Sequence, residues 1–224
     1  MITVHHLEAS RSFRTVWLLE ELGVPYELVQ HRRDKRTIRA GDELKAVHPL
    51  GKSPVIVDGP VVLPESGAIQ EYLLNRHDPE HRLRPPVMAP ERIAYDFWTH
   101  FAEGSAMGPL LIKLIVARAP TQAAWPVRGI ARKVLEKVDQ ATAEPQLRSI
   151  FSYVETELGR RPWFAGDRFT GADIMMSLPL LAAVTRWRKP DQLPRSADFL
   201  KRIRERPAFR AAEGRAGKYN LPGG

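Results

Sequence analysis

The apolar positions in the first third of the chain change their spacing at short intervals. Residues 2–6 (ITVHH) and 26–30 (YELVQ) are short runs rich in strand-forming side chains, and residues 14–23 between them show helical spacing. Gly23 at the end of that segment is typical of the position that follows a helix. We therefore predict a strand, a helix and a second strand, with the two strands parallel because the helix carries the chain back between them.

A hairpin and another helix are predicted next. Residues 41–47 form a short helical stretch, and the runs PVIVD and PVVLP flank Asp58-Gly59, a pair that favours a tight turn between antiparallel strands. Residues 66–76 have the apolar spacing of an amphipathic helix. Together these elements predict an α/β domain over residues 1–78, with a four-stranded mixed sheet covered by helices.

Residues 79–90 separate this domain from a helical remainder. The segment contains prolines at 79, 85, 86 and 90 and has no apolar period, which is typical of a linker. Three helical stripes then predict an all-helical domain over residues 91–224. The stripes comprise residues 93, 97 and 101, residues 147, 150, 151, 154 and 158, and residues 174, 175, 178, 181 and 182. The first long helix should bend near Gly108-Pro109, because proline lacks a backbone donor and clashes with the preceding turn.

Composition restricts the possible chemistry. The 224 residues are 43% apolar and 27% charged, which suits a folded protein with an ample core. There is no run of about 18 apolar residues and no secretory signal after Met1, so we expect a cytoplasmic protein without a membrane span. The chain has no cysteine, which excludes a disulfide, a Cys-ligated zinc and a thiol nucleophile of its own. Sulfur chemistry would require a thiol supplied by a ligand.

The net charge of +8 is concentrated near the C-terminus. The segment from Arg186 to Lys218 contains eleven Lys or Arg and four Asp or Glu, a net +7, and a second basic run occupies residues 31–39. Such charge could bind nucleic acid. Acidic residues and prolines interrupt the C-terminal segment, however, and aromatic side chains do not alternate with its charges, so we expect no specific nucleic-acid binding. A non-catalytic module that binds protein or RNA through this surface is the alternative function.

Residues 48–69 carry the strongest binding signal. Pro54 begins a strand, and a cis peptide bond before proline costs only ~0.5–1 kcal/mol, so the backbone of Ser53 could face outward and pair with an extended peptide. Ser66 begins a helix, so its hydroxyl and the free amides of the first turn would bind an anion. Glu65 could bind an ammonium group, and Lys52 a second carboxylate. These groups fit a peptide that ends in an amino-acid zwitterion.

That ligand has the shape of glutathione, and the motifs resemble those of cytosolic glutathione S-transferases. The matching strings are SRSFRTVWLLEELGVPYEL, HPLGKSPVI, PESGAI with EYLL, and FTGADIMMSLPL, most like a fungal and bacterial serine-type subgroup. The resemblance implies a thioredoxin-like N-terminal domain, an all-helical C-terminal domain that carries the electrophile pocket, and a homodimer. It also implies a detoxification enzyme that uses glutathione as co-substrate, without a metal, to attack an apolar electrophile, with reduction of organic hydroperoxides as a side activity.

The resemblance also assigns glutathione contacts. Ser53-Pro54 matches the cis-proline step that pairs with the cysteinyl backbone, and Glu65-Ser66 matches the γ-glutamyl site. Lys52 falls where a basic side chain commonly reaches the glycyl carboxylate. In serine-type members the catalytic serine lies four residues before the basic residue of the first helix, and counting back from Arg14 gives Ser10.

A hydroxyl at the start of a helix can donate to the ligand's sulfur, and the helix dipole favours the thiolate. Ser10 could equally be a simple helix cap. Arg11, which we place among the glutathione contacts, and Ser12 are rival groups that the sequence does not rank.

The remaining candidates are weaker. Trp98, Phe101 and Met107 lie where the family's electrophile pocket is expected, although they could belong to the core. His77 and His81 have a metal-ligand spacing, but Pro79 between them and the lack of a third ligand favour a solvated linker and no metal. His5 and His6 are neighbours in the first strand, so one of them must face the core or an interface.

Overall fold

The computed structural model describes residues 1–34 and 40–221, so residues 35–39 of the predicted basic run lie outside the described residues. Among the described residues up to 77, the N-terminal part contains seven elements. They are β1 (Ile2–Leu7), α1 (Phe13–Leu22), β2 (Tyr26–His31), α2 (Glu43–Val47), β3 (Val55–Asp58), β4 (Val61–Pro64) and α3 (Ser66–His77).

The sheet has the order β2-β1-β3-β4. Strand β1 pairs in parallel with β2, placing Ile2 opposite Tyr26, and antiparallel with β3, placing Val4 opposite Ile56. Strands β3 and β4 form the expected hairpin. The prediction of a four-stranded mixed sheet is therefore confirmed.

Two connections between these elements have unusual backbone geometry, one at the end of α1 and one before β3. Gly23 ends α1 with φ of 68°, in the left-handed region where glycine has no Cβ to clash. The Ser53-Pro54 peptide bond is cis, as the sequence led us to expect.

The C-terminal part is helical. Its elements are α4 (Glu91–Phe101), α5 (Met107–Gln122), α6 (Arg128–Ala141), α7 (Ala143–Arg160), α8 (Gly171–Arg186), α9 (Pro194–Glu205) and α10 (Pro207–Ala216). Helices α7 and α8 coincide with two of the predicted stripes. Every residue of α8 from Gly171 to Ala183 is buried, so this helix forms the centre of the helical domain. No helix in residues 1–34 and 40–221 is both long enough and apolar enough for a bilayer crossing.

The first long helical segment contains an irregular turn near the predicted bend. A π-helical turn, Ala102–Ala106, joins α4 to α5, and Gly108-Pro109 lie within the regular turns of α5. The N–H of Met107 donates to the carbonyl of Ala102, five residues earlier. Proline disturbs the carbonyl four residues before its own position, which here is Ser105. The irregular turn thus lies directly before Pro109, close to where the sequence predicts a bend.

The segment between the two parts is held by specific contacts. Residues 78–90 contain no helix or strand, and the domain limits proposed from the sequence, 1–78 and 91–224, lie on either side of residues 79–90. The carboxylate of Asp78 accepts the N–H groups of Arg82, Leu83 and Arg84 at 2.9 to 3.0 Å. The carbonyl of Leu83 accepts the N–H of Gly171, the first residue of α8, at 2.8 Å. These bonds fix the segment against the helical part.

Candidate active site

A cleft of about 1060 Å³ lies between the sheet and helices α5 and α8. One wall comes from the N-terminal part and is mostly polar, whereas the facing wall is mostly apolar. The N-terminal wall includes Leu7, Ala9, Ser10, Arg11, Lys52 and Ser53, and the helical wall includes Met107, Leu110, Leu111, Leu114, Leu178 and Ala182. The cleft therefore brings a polar strip next to an apolar surface.

The cis-proline step forms the sheet side of this cleft. The hydroxyl of Ser53 donates to the carbonyl of His5 at 2.9 Å and accepts the N–H of Leu7 at 3.2 Å. Its side chain is thereby tied to β1. Among the described residues, no backbone hydrogen bond of Ser53 is found. Lys52 lines the same wall, is exposed and has no ion-pair partner among the described residues.

Glu65 and Ser66 stand together at the start of α3. Glu65 has φ of 75°, an unusual value for a residue with a Cβ, and its side chain is exposed. Ser66 is 7% exposed, and its hydroxyl accepts a hydrogen bond from Nη2 of Arg14 at 3.2 Å. Neither residue is part of the cleft lining. They present a carboxylate, a hydroxyl and the unpaired N–H groups of a helix start next to one another.

The turn after β1 contains Ser10, Arg11 and Ser12, the three residues that the sequence offers as contacts of the glutathione sulfur. Ser10 is half-buried and lines the cleft, whereas Ser12 is fully buried. Their hydroxyl oxygens are 2.7 Å apart. Nε and Nη2 of Arg33 donate to the carbonyls of Glu8 and Ala9 at 3.0 Å each, which fixes the turn that leads to Ser10.

His6 completes this group from β1. It is 3% exposed, and its Nδ1 lies 2.8 Å from the hydroxyl of Ser12. Its Nε2 lies 3.0 Å from the carbonyl of Ala216, the last residue of α10. The sequence indicated that one of His5 and His6 would face inward. It gave no signal for the contact with Ala216, which is 210 positions away.

Arg11 and Arg14 share a carboxylate from the helical part. The carboxylate of Glu103, in the π-helical turn, accepts a hydrogen bond from Nη2 of Arg14 at 2.5 Å and forms an ion pair with Nε of Arg11 at 3.2 Å. Nη1 of Arg14 donates to the carbonyl of Met175 at 2.8 Å. Burial alone would raise the pKa of Glu103, but the two guanidinium groups hold this pKa below its ordinary value. Sequence reasoning missed the roles of Arg14 and Glu103, since their separation of 89 residues leaves no local pattern.

The apolar pocket differs from the one expected. Met107 lines the cleft, but Trp98 and Phe101 do not. Trp98 is 3% exposed and stacks on Tyr153 with ring centroids 5.3 Å apart, and Phe101 meets the edge of Trp98 at 5.0 Å. These two rings belong to an aromatic cluster between α4 and α7. The apolar wall is formed instead by α5 and α8, mainly Leu110, Leu114 and Leu178.

Ion pairs fix the far end of the cleft. Nζ of Lys113 lies 2.6 Å from Asp139 and 2.8 Å from Glu144, and Nε1 of Trp187 donates to Glu144 at 2.9 Å. Burial opposes ionisation of Glu144, yet hydrogen bonds from Lys113, Trp187 and Arg148 lower its pKa to about 2. Lys113, Asp139 and Trp187 line the cleft. The apolar wall therefore ends at a charged and tightly bonded boundary.

Potential metal ligands do not cluster among the described residues. Within residues 1–34 and 40–221, no group of three or more His, Cys, Asp or Glu side chains is arranged to hold a metal ion. His77 ends α3 and His81 lies in the segment that follows it.

Comparison with known proteins gives consistent matches. Residues 1–75 match the family model of the glutathione S-transferase N-terminal domain, and residues 119–207 match that of the C-terminal domain. The chain is 34% identical to Glutathione S-transferase 1 of Saccharomyces cerevisiae, over 96% of this chain and 95% of that protein. It is 33% identical to Glutathione S-transferase 3 of Schizosaccharomyces pombe, over 95% of this chain and 86% of that protein.

A solved structure is also closely similar. A glutathione S-transferase from Actinobacillus pleuropneumoniae superposes with a TM-score of 0.84 at 33% identity, covering 99% of this chain and 95% of its own. Together with the observed sheet order, these matches confirm the expected thioredoxin-like domain followed by a helical domain.

Proposed function

This chain belongs to the glutathione S-transferase family, and from that premise we propose that the cleft binds glutathione, ionises its thiol and directs the thiolate at an apolar electrophile. The observation that carries the proposal is the arrangement of the cleft. A cis-proline edge and a half-buried serine hydroxyl on one wall face an apolar surface on the other. Glutathione is the co-substrate, and it supplies the thiol that a cysteine-free chain lacks.

We place the glutathione backbone along Ser53. In the proposed complex, the cysteinyl N–H and C=O pair with the backbone of Ser53, as an added strand would. The glycyl carboxylate then reaches Lys52, an exposed cation on the same wall. The γ-glutamyl zwitterion extends to α3, where Ser66 and the free amides hold its carboxylate and Glu65 holds its ammonium.

Ser10 is the proposed contact of the sulfur, with Arg11 close to the bound peptide. A hydrogen bond to the sulfur favours the ionised form of the thiol. If the thiol pKa falls from ~8.5 to ~6.5, the thiolate fraction at pH 7 rises from ~3% to ~75%, an effect of ~2.7 kcal/mol. The half-buried position of Ser10 in the cleft supports this role over that of a simple helix cap.

Replacing Ser10 with alanine is expected to return the pKa of bound glutathione toward its free value. The ratio of thiolate to thiol at pH 7 should fall by ~10- to 100-fold, because one to two pKa units are lost. Turnover should fall with it, while the dissociation constant for glutathione changes little. Titration of the thiolate's ultraviolet absorbance in the glutathione complex measures this pKa.

Ser152→Ala provides the control, since Ser152 is an exposed serine on α7. If the titration curve of Ser10→Ala coincides with that of the wild type, the role passes to Ser12, Arg11 or backbone amides.

The electrophile should occupy the apolar wall of the cleft. We replace the sequence-based pocket of Trp98, Phe101 and Met107 with one built on Met107, Leu110, Leu114 and Leu178, which line the cleft. Burial of apolar surface against these side chains would draw the electrophile toward the sulfur. A glutathione-dependent assay of aryl halides, epoxides, hydroperoxides and mixed disulfides would identify the preferred class and test hydroperoxide reduction. The expected role in detoxification and the cytosolic location stay predictions.

We further propose that two copies form a homodimer. Helix α4 exposes Ile93 (79%) and Phe97 (44%), spaced four residues apart, and Phe97 contacts the exposed ring of Tyr153 on α7. In the N-terminal part, Val62 on β4 is also 42% exposed. An apolar face of this kind is stabilised when a second copy covers it.

Light scattering at micromolar concentration should therefore report twice the chain mass of 25.4 kDa. Phe97→Asp should shift the protein toward the monomer, because a carboxylate is costly to bury in the interface. Val134→Asp, on the exposed face of α6, is the matched control. A wild-type protein that scatters as a monomer would contradict the proposed dimer.

A further inference from the structure

A continuous line of hydrogen bonds runs from the cleft into the protein. It begins at the hydroxyl of Ser10, passes to the hydroxyl of Ser12 at 2.7 Å and reaches Nδ1 of His6 at 2.8 Å. It ends where Nε2 of His6 meets the carbonyl of Ala216 at 3.0 Å. Only Ser10 lines the cleft, whereas Ser12 and His6 are buried. The line therefore connects the proposed position of the glutathione sulfur to the buried imidazole of His6.

The positions of the protons along this line follow from the partners. A carbonyl oxygen only accepts, so Nε2 of His6 carries the proton that is donated to Ala216. Nδ1 of a neutral His6 is then an acceptor, and the hydroxyl of Ser12 donates to it at 2.8 Å, a shorter contact than the 3.3 Å to its other acceptor, the carbonyl of Leu7. The hydroxyl of Ser12 has only one proton, which it donates to His6. Its oxygen therefore accepts hydrogen bonds from the hydroxyl of Ser10 and from the N–H of Leu7 at 3.1 Å.

This order leaves Ser10 as an acceptor toward the cleft. Its proton is directed at Ser12, and its oxygen receives the N–H of Ser12 at 3.2 Å. A second lone pair remains for a ligand on the cleft side. Before glutathione is ionised, Ser10 can therefore accept the thiol's proton but has none to donate to the sulfur.

The surroundings of His6 act on its charge in both directions. Burial lowers the pKa of His6, which keeps the resting ring neutral, and His31 at the end of β2 acts in the same sense. The hydrogen bond to Ala216 and the charge of Glu8 raise this pKa. Ala216 is the last residue of α10, and the carbonyl end of a helix stabilises a nearby imidazolium. His6 is thus neutral at rest but has partners for the protonated ring.

We propose that His6 accepts the proton of the glutathione thiol through Ser10 and Ser12. The S–H bond breaks as its proton moves to the oxygen of Ser10, the Ser10 proton moves to the oxygen of Ser12, and the Ser12 proton moves to Nδ1 of His6. The products are a thiolate and an imidazolium, and both serines end as neutral hydroxyls. Ser10 then donates to the thiolate, Ser12 donates to Ser10, and Nδ1 of His6 donates to Ser12.

His6 is in this view a positioning residue, since it reaches the substrate only through the two serines. The inference rests on the proposed function, because it needs glutathione with its sulfur at Ser10. It makes a distinct claim about where the proton goes. A thiol that loses its proton to solvent releases it to the buffer, whereas a thiol that loses it to His6 does not change the net charge of the complex.

Proton release on glutathione binding separates the two cases. Calorimetry in buffers of different ionisation enthalpy gives the protons released, and ultraviolet absorbance of the same complex gives the thiolate formed. Near pH 7 the wild type should form thiolate with almost no proton release. His6→Asn and Ser12→Ala should form less thiolate and release about one proton for each thiolate that remains.

Two further variants make the test specific. Ser12→Ala interrupts the line while the N–H of Leu7 keeps its bond to Ser53, so it decides the matter if His6→Asn does not fold. His100→Asn, at an exposed histidine on α4, should behave as the wild type. One proton released per thiolate in the wild type, or no change of stoichiometry in Ser12→Ala, would overturn the relay alone. Bound glutathione without any thiolate would instead overturn the proposed function, and the relay with it.

Discussion

Replacing Glu65 with glutamine is expected to weaken glutathione binding by about 30-fold, the equivalent of ~2 kcal/mol. The substitution keeps the length of the side chain and removes the charge that would hold the γ-glutamyl ammonium. Losing one partner of a buried charged pair costs ~2–5 kcal/mol, and the lower end applies here because Glu65 is exposed before the ligand arrives. Ser66→Ala should weaken binding by about tenfold, the value of one good hydrogen bond.

Isothermal calorimetry at pH 7 measures both effects. The matched control is Glu80→Gln, which removes an exposed carboxylate from the linker segment and should leave the dissociation constant unchanged. Unaltered affinity in both Glu65→Gln and Ser66→Ala would remove the γ-glutamyl site from the start of α3. The glutathione orientation along Ser53 would then have to be reversed or abandoned.

Local patterns were sufficient to predict the N-terminal sheet. Short β-rich runs, the turn at Asp58-Gly59 and the helix end at Gly23 each act within a few residues, so the sequence alone could place them. The cis bond at Ser53-Pro54 belongs to the same class, because proline itself lowers the preference for trans. Features that depend on neighbours in sequence are the ones that sequence reasoning recovered.

The helical wall of the cleft could not be predicted in the same way. Trp98 and Leu110 are both apolar residues of long helices, and an apolar helix position has the same spacing whether it meets the core or a cavity. Only packing places Trp98 among the rings of α4 and α7 and leaves Leu110 on the cleft. The hydrogen-bonded line from Ser10 through His6 to Ala216 could not be predicted from the sequence for a related reason. Its last partner, Ala216, comes from the end of a distant helix.

Substituting Arg14 with methionine is expected to produce the largest loss of stability, about 3–5 kcal/mol in the free energy of unfolding. Arg14 is 2% exposed and links three elements: it donates to Ser66 on α3, to Glu103 in the π-helical turn and to the carbonyl of Met175 on α8. Methionine fills similar space but leaves the carboxylate of Glu103 without its closest cation. Denaturant unfolding at pH 7 and fixed protein concentration measures the loss.

The pH dependence of this stability loss tests whether the ion pair between Arg14 and Glu103 causes it. The pKa of Glu103 lies below its ordinary value of 4.5 in the folded protein, where burial is outweighed by Arg14 and Arg11. Its pairing therefore stabilises the wild type above the unfolded pKa, and this contribution is lost as the pH falls through the folded pKa. The difference between wild type and Arg14→Met should shrink below about pH 4.5, although the lost bond to Met175 remains.

An exposed pair supplies the comparison for this last prediction. Arg160 on α7 forms an ion pair with Glu157 at 2.8 Å but is 69% exposed. Arg160→Met makes the same chemical change where water screens the charges, so its cost should stay within ~1 kcal/mol. Equal losses for the two arginines, or a difference that does not vary with pH, would show that Arg14 stabilises the protein through packing of its side chain. The buried guanidinium would then be a space-filling group and not the electrostatic link between the sheet domain and the helical domain.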